Sequence, residues 1–304
     1  EPVTLTASAT VDANVSCNGG ENGTATASGT GGTPPYTYLW DDTDAQTTAT
    51  ATGLAAGTYT VTITDDNGCT DTASVTINEP ATLTASAMVD ANVSCNAGEN
   101  GQATASAVGG TSPYTYLWDD TDMQTTATAT GLAAGTYTVT ITDDNGCTDT
   151  ASVTITEPIA LTASATVDDN VSCNAGNDGT ATASGTGGTP PYTYLWDDTD
   201  AQTTATATGL AAGTYTVTIT DDNGCTDTAS VTITEPIALT ASATVDNNVS
   251  CNGGGNGNIT IDLNGGTSPF EYVINGTTYS NFPDPTLAIS GLQAGTYPIN
   301  VTDA

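Results

Sequence analysis

The dipeptide Glu-Pro recurs every 78 residues, and this period constrains the fold more than any other feature of the sequence. The Trp and Cys positions keep the same spacing, and the first three copies are nearly identical, whereas the fourth is divergent. A fixed period of this kind indicates one structural unit repeated in tandem. The predicted repeats are residues 1–78, 79–156, 157–234 and 235–304, the last of which stops before its final strand.

Within a copy, apolar residues alternate with Thr and Ser, as in half-buried β-strands. Clusters of Gly, Pro, Asn and Asp separate these segments and predict turns. We expect six or seven strands in each copy, which lie in the first copy at roughly 5–11, 23–30, 36–41, 46–54, 57–65 and 70–77. Their number and spacing favour an all-β fold of four tandem immunoglobulin-like sandwiches, arranged as an elongated rod.

Two aromatic positions in each copy predict core anchors. A Trp ends the third strand, and a Tyr follows a Gly-bearing turn at the start of the fifth, where immunoglobulin-like sandwiches place a tyrosine corner. The fourth copy keeps the Tyr and has Ile274 in place of the Trp. We expect these aromatic side chains to be buried rather than to form a sugar-stacking surface. They are Trp40, Trp118, Trp196, Tyr59, Tyr137, Tyr215 and Tyr297.

The charge of the chain is one-sided. It has 34 Asp and Glu and no Lys, Arg or His, which gives a formal net charge of -34. Enzymes commonly use the missing cations for proton transfer and charge stabilisation, so the sequence predicts no catalytic residues and no enzyme. Nucleic acid is excluded as a direct partner because phosphates need cations. No apolar run is long enough to insert into a membrane. We interpret the acids mainly as a solvated coat.

Some of the acids crowd into turns and offer a second interpretation. In the first copy these residues are Asp41, Asp42, Asp44, Asp65 and Asp66. Such loops could supply the oxygen ligands of Ca²⁺. Asp is also a favoured turn former in its own right. No cofactor is therefore predicted, with calcium as the open alternative.

The cysteines allow three arrangements. They are Cys17, Cys69, Cys95, Cys147, Cys173, Cys225 and Cys251. Pairing Cys17 with Cys69 inside a copy is favoured, because closing such a loop contributes on the order of 4 kcal/mol. In an immunoglobulin-like topology these two cysteines lie at opposite ends of the sandwich, which instead favours pairing between copies, Cys17 with Cys147 and Cys95 with Cys225. Free thiols are the third arrangement. Either disulfide scheme fits an oxidising exterior.

One family resemblance is specific. The segments Val15 to Gly20, Gly31 to Trp40, Gly53 to Tyr59 and Val61 to Cys69 resemble the SprB-type repeat, which is akin to polycystic-kidney-disease-type domains. Such repeats fill large surface adhesins of gliding Bacteroidetes. The resemblance implies export by a type IX-like system, display on the cell surface through outer-membrane anchoring or secretion machinery, and a role in adhesion or gliding.

Asp-Thr-Ala in the sixth strand resembles the site at which Bacteroidetes attach O-glycans to exported proteins. The candidate acceptors are Thr72, Thr150 and Thr228. The sequence predicts a structural shaft segment of a surface adhesin or filament, whose partners are neighbouring repeats and, in a fibre, identical chains. The alternative is a repeated binding module for carbohydrate or a surface, which would depend on calcium if the acidic turns bind it.

Overall fold

The computed structural model describes residues 3–303, and every element of regular secondary structure in that range is a β-strand. The first copy contains β1 (Thr6–Ala13), β2 (Gly23–Thr30), β3 (Thr37–Trp40), β4 (Thr50–Leu54), β5 (Gly57–Thr64) and β6 (Thr70–Ile77). The second contains β7 (Thr84–Ala91), β8 (Gly101–Val108), β9 (Thr115–Trp118), β10 (Thr128–Leu132), β11 (Gly135–Thr142) and β12 (Thr148–Ile155). The third contains β13 (Thr162–Asp169), β14 (Gly179–Thr186), β15 (Thr193–Trp196), β16 (Thr206–Leu210), β17 (Gly213–Thr220) and β18 (Thr226–Ile233). The fourth contains β19 (Thr240–Asn247), β20 (Gly257–Asn264), β21 (Phe270–Ile274), β22 (Thr277–Phe282), β23 (Thr286–Leu292) and β24 (Ile299–Thr302).

Each of the first three copies is a sandwich of two antiparallel three-stranded sheets. In the first copy the strand orders are β1-β2-β4 and β3-β5-β6. The second and third copies repeat this order strand for strand. The immunoglobulin-like all-β fold predicted from the alternating pattern is therefore confirmed.

The chain divides into two compact units, Glu1–Glu157 and Pro158–Ala304. Each unit holds two of the predicted repeats, and each repeat has a hydrophobic core of its own. The fourth copy differs from the others in its second sheet, whose order is β22-β21-β24. There β22 forms a hairpin with β21. None of the strands described up to residue 303 occupies the place that β6 takes in the first copy.

The Trp side chain anchors the core in the way that the sequence predicts. Trp40 is only 1% exposed, and its indole N–H donates to the carbonyl oxygen of Thr48 at 3.1 Å. It packs with Ala25 and Ala51, which are fully buried on the opposing sheet. Small residues on one sheet make room for the large indole on the other, as close packing of an interior requires. Trp118 and Trp196 repeat the same burial and the same hydrogen bond.

The tyrosine corner is also present. The hydroxyl group of Tyr59 donates to the carbonyl oxygen of Ala55 at 3.1 Å and so ties the turn to the start of β5. The equivalent bonds of Tyr137, Tyr215 and Tyr297 are 3.0–3.1 Å long.

The fourth strand is shorter than the sequence predicts, since β4 begins at Thr50 rather than at residue 46. The Asp42 carboxylate accepts hydrogen bonds from the backbone N–H of Gln46 at 3.0 Å and from its side-chain amide at 2.9 Å. This contact holds residues 42–46 as a closed turn, with Ala45 at a φ of 49°. The apolar alternation therefore extends into a segment whose backbone makes only isolated hydrogen bonds to the strands, from the Ala27 N–H to the Ala49 carbonyl oxygen and from the Trp40 N–H to that of Gln46.

Gly23 and Ile77 interlock the two sheets of a copy. A Cβ atom placed on Gly23 would lie 2.7 Å from Cγ2 of Ile77, so this strand position must be glycine for β6 to close over β2. Gly101 with Ile155, and Gly179 with Ile233, repeat the arrangement at 2.6 and 2.7 Å. The Ile77 side chain is only 1% exposed, so it forms part of the buried core at this edge.

Replacing Trp40 by Ala should destabilise the first copy by about 3–5 kcal/mol, because a cavity replaces the largest buried side chain. Hydrogen exchange measured on the full chain should become faster in β5, which packs on the indole. Leu39→Ala is the matched control, since Leu39 is 51% exposed and should leave exchange unchanged. Equal protection of β5 in both variants would contradict the anchoring role of Trp40.

Candidate functional site

A disulfide bond joins the first copy to the second. Cys17 lies in the loop after β1, Cys147 lies in the turn before β12, and their Cα atoms are 5.7 Å apart. The bond spans 130 residues of sequence, so it is a link between domains and not within one. It forms the centre of the candidate functional site, which we call the joint.

The favoured prediction of a bond between Cys17 and Cys69 is wrong. The loop that carries Cys17 lies beside the end of β6, where the Val15 N–H donates to the Asn78 carbonyl oxygen at 3.0 Å. The turn that carries Cys69 lies at the other end, near Val3, in a pocket that both residues line. The eight residues of β1 separate these two ends by about 27 Å, whereas the Cα atoms of a disulfide lie within about 7 Å.

Four of the five remaining cysteines fall into two groups. Cys69 and Cys251 carry exposed free thiols. Cys95 and Cys225 are disulfide-bonded. The alternative prediction, pairing between copies, is confirmed for Cys17 and Cys147.

Hydrogen bonds within the same unit hold the joint around the disulfide. The side-chain amide of Asn145 donates to the Ser16 carbonyl oxygen at 2.9 Å, which adds a second link between the loop and the turn. The amide of Asn18 donates to the Pro80 carbonyl oxygen at 3.1 Å, and the Gly19 N–H donates to the Glu79 carboxylate at 2.6 Å. The loop of the first copy is therefore hydrogen-bonded to the Glu-Pro linker, whose proline already restricts the backbone.

The hydrogen bonds between the loop and the Glu-Pro linker recur between the third and fourth copies. In the other unit, the Asn174 amide donates to the Pro236 carbonyl oxygen at 3.1 Å, and the Ala175 N–H donates to the Glu235 carboxylate. In the same unit, the hydroxyl group of Thr267 donates to the Ser172 carbonyl oxygen at 3.5 Å. The Glu-Pro dipeptide that follows a copy is thus held by the loop after that copy's first strand. The sequence alone did not reveal this role.

A buried carboxylate positions the turn that carries Cys147. Asp143 is 5% exposed, and one of its oxygens accepts the N–H groups of Cys147 and Asn145 at 2.8 and 3.0 Å. The other oxygen accepts the Thr111 N–H at 2.8 Å. Gly110, with a φ of +58°, leaves the necessary space, because a Cβ atom there would lie 2.7 Å from the carboxylate. Asp143 therefore orients both residues that cross the joint.

The bond from the Thr N–H recurs in all four copies, and the bonds from the turn N–H groups are present in the first three. Asp65, Asp221 and Asp303 accept the N–H groups of Thr33, Thr189 and Thr267 at 2.8–2.9 Å. Backbone donors lower the pKa of Asp65, the N–H of Thr33 most strongly. Burial by itself raises the pKa of Asp143, but the N–H groups of Thr111 and Cys147 outweigh it, so the pKa lies below its usual value.

The acidic turns proposed for calcium use their oxygens inside the fold. Asp41 accepts the Thr60 N–H at 2.7 Å, Asp42 holds its own turn closed, and Asp65 binds backbone donors. Asp44 and Asp66 are exposed. From residue 3 to residue 303, the structure brings together no group of three or more Asp, Glu or Cys that could hold a metal ion.

The candidate glycan acceptors are exposed on the sixth strand of their copies. Thr72 lies on β6 opposite Thr62, and Thr150 and Thr228 occupy the equivalent places on β12 and β18. Glycosylation of these residues stays a prediction.

Comparison with known families identifies the repeating unit. The SprB repeat model matches residues 9–45, 90–123, 165–201 and 243–278, one segment in each copy. No curated protein sequence matches the chain. Within residues 3–303, no helix is long and apolar enough to cross a membrane.

Several solved structures are similar to this chain. One is the tetra-tandem repeat in the extending region of a large adhesion protein, at 14% identity, a TM-score of 0.31, and coverage of 96% of this chain and 92% of that one. A 1.5-MDa bacterial ice-binding adhesin is similar at 15% identity and a TM-score of 0.39, over 77% of this chain and 98% of that one. The eight N-terminal immunoglobulin domains of Down Syndrome Cell Adhesion Molecule are similar at 11% identity and a TM-score of 0.32, over 99% of this chain and 60% of that one.

Replacing Asp143 by Asn should destabilise the second copy and mobilise the turn around Cys147, because an amide cannot accept N–H groups at both ends. Asp144→Asn is the matched control, since the neighbouring carboxylate is exposed. Thermal unfolding at pH 7 should distinguish the two variants. Equal melting temperatures would contradict a positioning role for Asp143.

The same carboxylates should make the unmodified chain sensitive to acid. Their folded-state pKa is depressed, so their contribution is complete above the unfolded pKa of about 3.9 and is lost as the pH falls through the lower, folded-state pKa. Melting temperatures should therefore fall steeply below about pH 4, and the fall should be smaller in Asp143→Asn. An unchanged melting temperature at pH 3 would contradict this linkage.

Proposed function

Because the chain carries four SprB repeats, we propose that it is a non-enzymatic, load-bearing shaft segment of an extracellular surface adhesin or filament. The observation that carries this proposal is the disulfide between Cys17 and Cys147. A domain that binds or catalyses on its own needs no covalent bond to the next copy, whereas a shaft under tension gains directly from one.

The path of the applied force through the chain explains how the disulfide strengthens a shaft. Tension applied along the chain enters a copy at its first strand and leaves at its sixth, so it tends to peel these strands from the sandwich. The disulfide connects the loop after β1 directly to the turn before β12, and the 130 residues between them are bypassed. Residues 18–146, which include β2 to β6 of the first copy and β7 to β11 of the second, cannot be extended by the applied force until the bond breaks.

The pairing extends by repetition of the sequence. Cys225 lies 130 residues after Cys95, the same separation as in the observed bond, and both residues are disulfide-bonded. We therefore propose the same link between the second and third copies. Overlapping links of this kind would connect the first Cys of each copy to the second Cys of the next, all along a shaft.

Compartment and charge support a surface location. Structural disulfides persist in oxidising environments outside the cytosol. The net charge of -34 makes neighbouring chains repel each other and keeps a long exposed array from aggregating. Export by a type IX-like system, O-glycans on the exposed threonines, and a part in adhesion or gliding belong to this proposal.

Force spectroscopy tests the shaft function directly. In a full chain with Cys95→Ser and Cys225→Ser, the bond between Cys17 and Cys147 should hide 130 residues from the applied force. Adding a reductant should then release about 450 Å of extra contour length, at roughly 3.5 Å for each residue.

Two further variants in that background serve as controls. Cys69→Ser should behave like the parent, because the Cys69 thiol is free. Cys17→Ser should show the full contour length without reductant. Equal contour lengths before and after reduction of the parent would contradict a load-bearing role for the bond.

A further inference from the structure

The loop of the joint contains an asparagine followed by a glycine. The Gly20 N–H donates to the Cys17 carbonyl oxygen at 2.9 Å, so Asn18 and Gly19 occupy the two central positions of a tight turn. Gly19 has a φ of +73°, as the third residue of a type II turn requires. Both residues are exposed, and a Cβ atom on Gly19 would meet nothing within 4 Å. Water therefore reaches this pair of residues.

An asparagine can react with the backbone that follows it. The nitrogen of the next residue attacks the side-chain carbon Cγ, a cyclic succinimide forms, and ammonia leaves. Water then opens the ring, and aspartate or isoaspartate takes the place of asparagine. Glycine in the next position favours this reaction, because it has no side chain to crowd the attacking nitrogen. Asn18 and Gly19 form such a pair.

A carboxylate lies against the nitrogen that attacks in this reaction. The Gly19 N–H donates to the Glu79 carboxylate at 2.6 Å. A hydrogen bond to an ionised carboxylate is shorter and stronger than one between neutral groups. Attack on Cγ requires this nitrogen to lose its proton, and a group at hydrogen-bond distance can accept it. Glu79 therefore occupies the place of a general base.

The side-chain amide of Asn18 is held at both of its polar atoms. Its oxygen accepts the Thr82 hydroxyl group at 2.8 Å, and its nitrogen donates to the Pro80 carbonyl oxygen at 3.1 Å. A donor on the amide oxygen stabilises the negative charge that this oxygen gains when Cγ is attacked. The Thr82 hydroxyl group therefore favours the addition step, as a donor in an oxyanion hole does.

The second and third copies share the carboxylate contact and lack the glycine. Their residues at this position are Ala97 and Ala175, whose N–H groups donate to the carboxylates of Glu157 and Glu235. The φ values of the two alanines are 58° and 59°, so their backbone resembles that of Gly19. Of these three turns, only the one in the first copy combines the base with an unhindered nitrogen.

We propose that Asn18 is a self-modifying residue, which deamidates by reaction with Gly19. The bond between the Gly19 nitrogen and Cγ of Asn18 forms, and the bond between Cγ and Nδ2 breaks. The proton of the Gly19 nitrogen passes through Glu79 to the departing nitrogen, which leaves as ammonia. Water then opens the succinimide to aspartate or isoaspartate at position 18. This inference concerns the chemistry of the joint and does not depend on the shaft function.

The product weakens the contact between the loop and the linker. A carboxylate at position 18 cannot donate to the Pro80 carbonyl oxygen, and it adds a second negative charge beside Glu79. Like charges this close repel each other. The disulfide between Cys17 and Cys147 takes no part in the reaction. The joint therefore keeps its covalent link and loses hydrogen bonds to the linker as the protein ages.

Timed incubation of the full chain at neutral pH tests the proposal. Samples are then reduced, alkylated and cut after glutamate, and mass spectrometry follows the mass gain of deamidation in the peptide that ends at Glu21. Position 18 should convert faster in the folded chain than in the same chain unfolded in urea with reductant, because only folding brings Glu79 and Thr82 to the turn. Equal or slower conversion in the folded chain would overturn the proposal.

Glu79→Gln tests the general base. Glutamine keeps an oxygen that accepts the Gly19 N–H, but it cannot take a proton at neutral pH. Conversion at position 18 should slow by about 10-fold or more, since a positioned base contributes roughly 10²–10⁴-fold. Thr82→Val should also slow conversion, whereas Thr82→Ser keeps the hydroxyl group and should not. Conversion of Glu79→Gln at the parent rate would contradict the role of Glu79.

Gly19→Ala tests the attacking nitrogen in a chain that stays folded. Ala97 and Ala175 occupy the same place in the other copies, so the turn accepts alanine. Conversion at position 18 should slow, because the added methyl group crowds the nitrogen. Circular dichroism checks the fold of this variant. If folded Gly19→Ala converted as fast as the parent, attack by this nitrogen would be wrong.

Asn18→Asp stands for the aspartate product and tests its effect on the joint. Hydrogen exchange of the Gly19 amide should be faster than in the parent, because the new charge disturbs its bond to Glu79. Exchange of the Cys147 amide, which the Asp143 carboxylate holds, should stay unchanged. Equal exchange at Gly19 in the two chains would overturn the loosening of the linker.

Discussion

A disulfide can link successive copies only if the loop at one end of a sandwich meets the turn at the opposite end of the next. The strand order places the loop after β1 and the turn before β6 a full strand length apart, so within one copy these cysteines cannot meet. Between copies, the Glu-Pro linker brings the two ends together, and the loop of the first copy holds that linker through Gly19 and Asn18. The bond between Cys17 and Cys147 then fixes a contact that the hydrogen bonds already define.

The carboxylate of Asp143 fixes the position of the turn that carries Cys147. It gathers backbone donors from the turn and from Thr111, which is 32 residues away in sequence. A chain with no cations cannot neutralise a carboxylate with a salt bridge, so backbone N–H groups and glycines take over that role. Gly110, directly before Thr111, is required because a side chain there would collide with the carboxylate. Several carboxylates are therefore structural, among them Asp143 in the second copy and Asp41 and Asp42 in the first.

The fold could be predicted from the sequence because its signals are local. Alternation of apolar residues marks five of the six strands closely, and the Trp and Tyr positions identify the core and the corner. The start of β4 was missed because the closure of the turn by Asp42 is a side-chain contact that leaves the alternation unchanged. The favoured disulfide was wrong because loop-closure entropy depends on chain separation alone, whereas pairing depends on which end of the sandwich each Cys occupies. The strand order places the two cysteines of a copy at opposite ends, but the linker contacts that bring the ends of successive copies together were not visible in the sequence.

The central claim is that the covalent link lies between copies. Cleavage at acidic residues gives the same peptide around Cys69 and Cys147, so the test needs cysteine variants as well as a peptide map without reduction. In a full chain with Cys95→Ser and Cys225→Ser, we predict that the Cys17 peptide stays cross-linked after Cys69→Ser and is released by Cys147→Ser. The reverse result, with the cross-link lost in Cys69→Ser and kept in Cys147→Ser, would contradict the claim, since each copy would then be closed on itself and the joint would have no covalent bond.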